Sequence, residues 1–293
     1  MDKYNGEDLE TLFAPKWQLM TASFFPNKSL DKLFAIAEMV KTISPDILML
    51  VEVGGKESLD NFNKYFLDNK YDVLLEPSNS DRGIDLGYMV KKDLPLNAKL
   101  ISHTKKVLSN KKKFARGVFE LQLFKDEKLI FKNYLSHLKS KLNMSGNDFE
   151  GRGQRGAEVE YLVSLFEKDL KSYPDLPVCF SGDFNGIVYK DDTEEELKPI
   201  VDQTQLLDIF EILDLPIEKR MTYCYFNRVN QRHPMQLDYI FINKKFKSSI
   251  VPNKTQILGF IHPFTDTYEL PVSFKEKRDM PSDHMPVRLT LKI

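Results

Sequence analysis

Apolar residues in this chain come in short blocks, and several blocks end on a charged or carboxamide side chain. Ile47-Leu48-Met49-Leu50-Val51 is almost purely apolar and runs into Glu52-Val53-Gly54-Gly55. A strand of that kind wants cover on both faces, so the carboxylate at its exit stands out. Pro177-Val178-Cys179-Phe180 is a second such run, and it leads into Ser181-Gly182-Asp183-Phe184-Asn185-Gly186. If the backbone stays extended through Phe184, alternation puts Asp183 and Asn185 on one side and turns Phe184 into the core.

Between these runs the spacing changes to that of helices. Ser29 is placed as an N-cap, Leu30, Leu33, Phe34, Ala37 and Val40 share one face, and Pro45 closes the segment. Ser58 is expected to cap a second helix through Leu67, with a strand at Tyr71–Leu75 after it. Strands are expected at 17–22, 84–90, 98–108, 114–124 and 129–136, with a turn over Lys125–Lys128. Val159, Leu162, Val163, Phe166 and Leu170 mark an amphipathic helix. Strands near 221–226 and 236–242 follow, then an irregular stretch from about 253 to 281, and a closing strand over 287–293. Residues 190–198 are acidic and read as surface. The order strand, helix, strand, helix, many strands, helix, strands suits an α/β (α+β) architecture of two mixed β-sheets packed face to face with helices outside.

Composition narrows the function classes. The 293 residues show no linker or shift in composition, which predicts a lead-in over 1–15 and one domain over 16–293. No apolar run is long enough for a membrane span. The polar start lacks a signal-peptide pattern, so the expectation is a cytoplasmic protein, or a secreted or periplasmic one if a leader has been removed. The two cysteines, Cys179 and Cys224, sit in apolar or aromatic runs and read as small buried hydrophobes, not as a disulfide framework. A net charge of −1 lacks the overall basic excess of a tight nucleic-acid binder. Basic residues do cluster at 105–106 and 111–113 and at Lys139, Lys141, Arg152 and Arg155; a solvated face alone would account for them.

Five polar points interrupt or end apolar strands: Glu52, His137, the Asp183/Asn185 pair, Asp238 within Leu237-Asp238-Tyr239-Ile240-Phe241, and Asp283-His284. Turns would explain Glu52 and Asp283-His284, and His137 alone reads as a satisfied histidine. Asp238 is harder to dismiss, because a buried carboxylate without a partner is costly. Taken together, Glu52 and Asp283 offer hard oxygen donors for Mg²⁺. A carboxylate beside a histidine makes an oriented general base. A second histidine, an asparagine and an arginine or lysine can stabilise a phosphorane or a leaving phosphate. The kit is that of metal-assisted phosphoryl hydrolysis.

In this order, Leu50-Val51-Glu52-Val53, Ser136-His137-Leu138-Lys139-Ser140-Lys141, Gly182-Asp183-Phe184-Asn185, Leu237-Asp238-Tyr239 and Ser282-Asp283-His284-Met285-Pro286-Val287 closely resemble the endonuclease/exonuclease/phosphatase (DNase I-like) superfamily from about residue 17 onward. Gly151-Arg152-Gly153-Gln154-Arg155 and Arg82-Gly83-Ile84-Asp85 resemble its bacterial nuclease-type members most. The resemblance implies a four-layered α/β sandwich with the site on the loops of one edge. It implies Glu52 as main metal ligand with Asp283 assisting, and His284 as general base polarised by Asp238. Asp183 and Asn185 would orient nucleophile and phosphate, with the Asp183 position the base in some accounts, and His137 would stabilise the transition state. Arg116, Arg155 and Lys139 are weaker candidates for phosphate contacts. One position departs: where the family carries a Thr-x-Asn-like string this chain has Thr21-Ala22-Ser23, so Ser23 takes the asparagine's place unless Asn27 reaches in. A serine offers one rotatable donor in place of a fixed carboxamide.

The resemblance thus leads to a monomeric phosphodiesterase dependent on Mg²⁺ (Mn²⁺ or Ca²⁺ as substitutes), a nuclease acting on DNA or RNA. The alternative within the same chemistry is a phosphomonoesterase or a phosphoinositide or lipid phosphatase. A non-catalytic binding module, supported by Ser23 alone, is the reading from another class.

Overall fold

The computed structural model describes residues 21–24, 26–142, 147–260 and 269–293. The expected lead-in and nearly all of the expected strand at 17–22 lie outside these residues, as do parts of the 143–153 loop and the 253–281 stretch.

Helix α1 (Leu30–Ile43) buries Ala37, Met39 and Val40. It ends where Ser44 turns left-handed (φ 47°) and its N–H returns to Val40 O at 2.8 Å, just ahead of Pro45. Ser29 occupies the N-cap position but makes no cap hydrogen bond there. Strand β1 (Ile47–Val53) follows, then helix α2 (Lys56–Phe66). Gly55, at φ 87°, is the residue that enters α2, so the helix starts ahead of the expected Ser58 cap. Ser58 instead donates its hydroxyl to Gly54 O at 2.9 Å. Strands β2 (Tyr71–Leu74) and β3 (Asp85–Lys91) complete a three-stranded sheet of order β1-β3-β2.

Strands β4 (Asn97–Ser102), β5 (Val118–Lys125), β6 (Lys128–His137) and β7 (Val178–Asp183) belong to a second sheet. Between β6 and β7 runs helix α3 (Arg152–Ser172). The hairpin β8 (Val188–Tyr189) and β9 (Asp192–Thr193) leads to β10 (Leu206–Asp208). A second hairpin, β11 (Tyr223–Phe226) and β12 (Arg232–Met235), precedes β13 (Asp238–Asn243). Strands β14 (Gln256–Ile257) and β15 (Val287–Arg288) pair near the C-terminus. The large sheet has the order β10-β13-β7-β6-β5-β4. Only β6 and β7 are parallel in it, which α3 makes possible as their crossover. The sequence led us to expect two mixed sheets; among the described residues the small sheet is antiparallel throughout.

Other differences have local causes. The expected strands 98–108 and 114–124 are cut back to Ser102 and Val118, because residues between them satisfy their backbone elsewhere. Asn79 Nδ2 donates to Thr104 O (2.6 Å) and Phe114 O (3.1 Å). The Lys125–Lys128 turn is a two-residue hairpin loop with Asp126 (φ 48°) and Glu127 (φ 63°) both left-handed, the geometry that matches strand twist. The closing strand is short, and Leu291 only bridges to Ile250. Both cysteines are buried and free.

Three cores separate four layers. Leu86, Tyr88 and Val90 of β3 meet Phe119, Leu121, Phe131, Leu135, Cys179 and Ile240 between the two sheets. The opposite face of the large sheet, with Tyr134, Val178, Phe180 and Phe241, is covered by Val159, Leu162, Val163 and Phe166 of α3. Helices α1 and α2 cover the outer face of the small sheet. The order is helices, sheet, sheet, helix, and no helix among the described residues is long and apolar enough to cross a membrane.

Candidate active site

The strand register collects the candidate residues at one end of the large sheet. The parallel β6–β7 ladder sets His137 opposite Asp183, and the antiparallel β7–β13 ladder sets Asp183 opposite Asp238. Three neighbouring strands thus carry His137, Asp183 and Asp238 in one row, about 5 Å apart from strand to strand. Gly182 permits this close approach: a Cβ there would lie 1.9 Å from Ser136 O, at φ 126°.

Asp183 and Asn185 are brought together, though not by an extended chain. Asn185 is left-handed (φ 50°), and its N–H donates to Asp183 Oδ1 at 2.8 Å. Its carboxamide donates to Leu138 O at 3.1 Å, tying the end of β7 to the end of β6. Phe184 is fully buried, as expected.

His284 Nδ1 lies 2.8 Å from Asp238 Oδ2, leaving Nε2 as the outward nitrogen. The backbone holds this pair from both sides: His284 bridges to Tyr223, and Met285 N–H donates to Thr222 O at 2.7 Å. The Tyr223 ring packs on the imidazole with centroids 4.6 Å apart. Lys277, from the short helix Phe274–Asp279, sits 3.7 Å above that ring and 3.6 Å from Asp283 Oδ2. Burial would push His284 down, but Asp238, then Asp183 and Asp283, outweigh it and push the imidazole up to about 10. Asp183 is pushed up to about 7 by burial, with the His284 charge pulling the other way and Asp238 adding to the rise.

His137 is buried at the other end of the row, with Nε2 3.5 Å from Asp183 Oδ2. Burial, reinforced by Arg116, His284 and Arg82, holds it well below the ordinary histidine range. It is therefore a neutral imidazole, and its approach to Asp183 is not an ion pair. Arg116 is also buried, and Nη1 donates to Leu138 O at 2.8 Å, the carbonyl that Asn185 also uses.

Glu52 comes from the other sheet. The β1–β3 register slips between Leu50 and Val53, and Glu52 is left-handed (φ 58°) in that bulge, which re-aims its side chain outward. Arg82 Nη2 lies 3.3 Å from Glu52 Oε1. Glu52, Arg82 and Asp183 all act electrostatically on Arg116, so the two sheets contribute to one charged rim. Ser23 lies on it too: its hydroxyl donates to Arg82 O at 3.2 Å, while Asn27 Oδ1 accepts from Ser58 at 3.4 Å. Arg82, Lys28 and Lys277 were not singled out from the sequence as site residues: Arg82 entered only as part of a family-like string, and Lys28 and Lys277 are surface-type lysines in a loop and a charged short helix.

Among the described residues no three His, Cys, Asp or Glu side chains form a ready metal cluster. Mg²⁺ needs less, since it keeps several waters and takes one or two carboxylates. Lys28, an exposed residue, has Asp283 and Glu52 as favourable electrostatic neighbours. The oxygens of these two carboxylates are of the hard kind that Mg²⁺ takes.

The basic cluster behaves differently. Arg155 is fully buried, with Nη1 donating to Lys139 O (2.8 Å) and Glu150 O (3.1 Å) and Nη2 paired with Glu196. The structure therefore does not bring Arg155 to the row of site residues; it makes it an internal brace. The surface reading of 190–198 holds for Lys190, Asp191, Asp192, Glu195 and Lys198, which are exposed, while Glu194 pairs with Lys141 and Leu197 is buried. Arg152 pairs with Glu150 at 2.7 Å. The stem of Lys139 packs where a Cβ on Gly151 would lie, 2.7 Å from its Cγ.

Solved structures share this architecture. TDP2 from D. rerio, complexed with a single-strand DNA product, aligns over 90% of this chain and 92% of its own at TM-score 0.61 and 17% identity. A Bacteroides thetaiotaomicron mannosyl-6-phosphatase aligns over 90% and 91% at TM-score 0.54 and 18% identity. An endonuclease/exonuclease/phosphatase family protein from the same organism aligns over 89% and 88% at TM-score 0.54 and 17% identity. The chain has the endonuclease/exonuclease/phosphatase (DNase I-like) fold. No protein-family model matches the sequence, and no curated protein does.

Proposed function

We propose that this protein is a divalent-metal-dependent phosphoester hydrolase, with a phosphodiester of DNA or RNA as its substrate. The observation that carries the proposal is the row His137–Asp183–Asp238 with His284 held on Asp238 at 2.8 Å. Two carboxylates and two imidazoles meet there, with Asp238 paired to His284 and Asp183 pushed up beside a neutral His137, the kind of perturbed set that marks a functional site. Similar folds include a protein solved with a DNA product and a phosphatase, which fits a phosphate ester as the reactant.

In this proposal Asp238 fixes the His284 ring, and the imidazole, pushed up to about 10, faces the phosphate as a cation that donates from Nε2. Asp183 takes the proton of the attacking water, favoured by its position near neutrality, at about 7. A limb near pH 7 in kcat/KM that vanishes in Asp183→Asn would assign the proton to it. Neutral His137 donates a hydrogen bond to a phosphoryl oxygen, and Arg116 beside it supplies fixed positive charge. Glu52 and Asp283 would hold Mg²⁺ or Mn²⁺, which when bound polarises the phosphoryl group. Ser23 fastens the Arg82 loop beside Glu52.

A second reading, a phosphomonoesterase, is favoured by the internal pairing of Lys141, Arg152 and Arg155, which leaves less charge for tracking a nucleic-acid backbone. Plasmid DNA, single-stranded DNA, RNA, bis-p-nitrophenyl phosphate and p-nitrophenyl phosphate, each with Mg²⁺, Mn²⁺ or EDTA, separate the two. Metal-dependent cleavage of a nucleic acid and of the diester supports the nuclease. Turnover of the monoester alone supports the phosphomonoesterase, and turnover of none overturns both.

A further inference from the structure

Behind the site, helix α3 carries a carboxylate that the proposed chemistry does not use. Glu158 is fully buried, one helical turn after Gln154. Its Oε1 accepts from Ala115 N–H at 2.8 Å and from Gln154 Nε2 at 3.0 Å, and its Oε2 accepts from Lys139 N–H at 2.8 Å. Ala115 is the residue before Arg116, and Lys139 is two residues after His137. One carboxylate therefore clasps the backbone on both flanks of the Arg116–His137 pair. Gln154 extends the clasp by donating to Lys113 O at 2.8 Å, and Arg155 secures the Lys139 carbonyl at 2.8 Å.

Charge points the same way. Arg116 meets the protein through the Leu138 carbonyl, a neutral acceptor, and Glu158 is among the acids whose charge favours its guanidinium. Burial raises Glu158, while the three hydrogen bonds and Arg116 favour its ionised form. A buried carboxylate accepting several N–H groups is oriented in a way that a neutral isostere cannot copy, because an amide nitrogen would face a donor.

We propose that Glu158 is a positioning residue: by bonding Ala115 and Lys139 from behind, it holds Arg116 and His137 at one fixed separation facing the substrate phosphate. It rests on the phosphoester-hydrolase reading, and it acts through Arg116 and His137 without touching substrate. Its carboxylate is the fixed point to which the starts of β5 and of the loop after β6 are both tied.

The test is a double-mutant cycle on bis-p-nitrophenyl phosphate with Glu158→Gln, Arg116→Gln and the pair, with thermal melts and inorganic phosphate inhibition measured alongside. Misplacing a group by about 1 Å costs roughly a hundredfold. The expected result is a folded Glu158→Gln with kcat/KM lowered by tenfold or more and weaker inhibition by phosphate. Adding it to Arg116→Gln should cost little further, because the two act as one unit. Full activity and unchanged phosphate inhibition in folded Glu158→Gln, or losses that multiply in the pair, would overturn the proposal. If Glu158→Gln does not fold, Gln154→Ala removes one of the three bonds; it should lower kcat/KM by a smaller factor and again not multiply with Arg116→Gln, and no effect overturns the proposal. If wild type turns over no phosphoester, the hydrolase reading falls by itself. Glu158 is then judged on phosphate binding by calorimetry: binding lost in Glu158→Gln supports the clasp, and equal binding overturns it.

Discussion

Two buried clusters of ionisable groups sit on the same six-stranded sheet, and they are built in opposite ways. Under helix α3, Glu120 faces His103 Nε2 at 3.1 Å and Lys132 Nζ at 3.0 Å. Lys132 reaches on to Asp169 at 2.7 Å, and Tyr134 donates its hydroxyl to Asp169 at 2.6 Å. Every acid has a cation or donor in contact, and despite burial the bonds from His103, Gln122 and Lys132 pull Glu120 down to about 2. At the sheet edge, Asp183 lies directly opposite Asp238, His137 stays neutral, and Asp183 is pushed up to about 7. The first cluster is satisfied internally. The second pairs Asp238 with His284 but leaves the Asp183 carboxyl disfavoured beside a neutral imidazole, and a perturbed carboxyl of that kind is a mark of a functional site.

The contrast can be broken from either side. The largest effect is expected from Asp183→Asn, which should lower kcat by about a thousandfold. It should also raise the melting temperature above pH 7, by removing a carboxylate whose charge the folded state disfavours. Asp183 binds its proton more tightly folded than unfolded, so its charge lowers stability as pH rises from the ordinary carboxylate range through about 7. Calorimetric melts across pH read that directly. Lys132→Met should do the reverse. It removes the cation that Glu120 and Asp169 share, and denaturant titration should show a loss of about 3 kcal/mol, with kcat of the folded protein nearly unchanged. A smaller effect follows from pH. Glu120 is depressed in the folded state, so its contribution is complete above the ordinary glutamate range and fades as pH falls through about 2. Glu120→Gln should flatten that acid limb in urea melts. The smallest effect is expected from Lys139→Ala, which should raise KM slightly and leave kcat and stability alone.

Legibility in the sequence followed one rule. Residues that punctuate an apolar run could be read, because strand alternation and burial make a charged side chain there conspicuous. Asp183, Asp238 and His137 were visible in that way, and the register of β6, β7 and β13 places them in a row. Residues that act through backbone or from a helix could not be read. Glu158 has nothing to set it apart from other helix acids until Ala115 and Lys139 fold against it. Arg155, grouped by sequence with exposed lysines, is buried because Glu194 and Glu196 come from a segment about forty residues away. The bulge at Glu52 and the left-handed Asn185 depend on turn geometry that no periodicity reports. The layered α/β fold was legible because its apolar strands and helix faces are long, and the antiparallel character of the small sheet was not, since pairing direction leaves no trace in a five-residue apolar run.

The most direct test of the central claim is cleavage of bis-p-nitrophenyl phosphate and single-stranded DNA by wild type, Glu52→Gln and His284→Ala, with Mg²⁺ or with EDTA. The account predicts turnover by wild type that EDTA abolishes, restored activity in Glu52→Gln only at raised metal concentration, and none in folded His284→Ala at any metal concentration. Turnover by His284→Ala equal to wild type, or activity indifferent to EDTA, would contradict it.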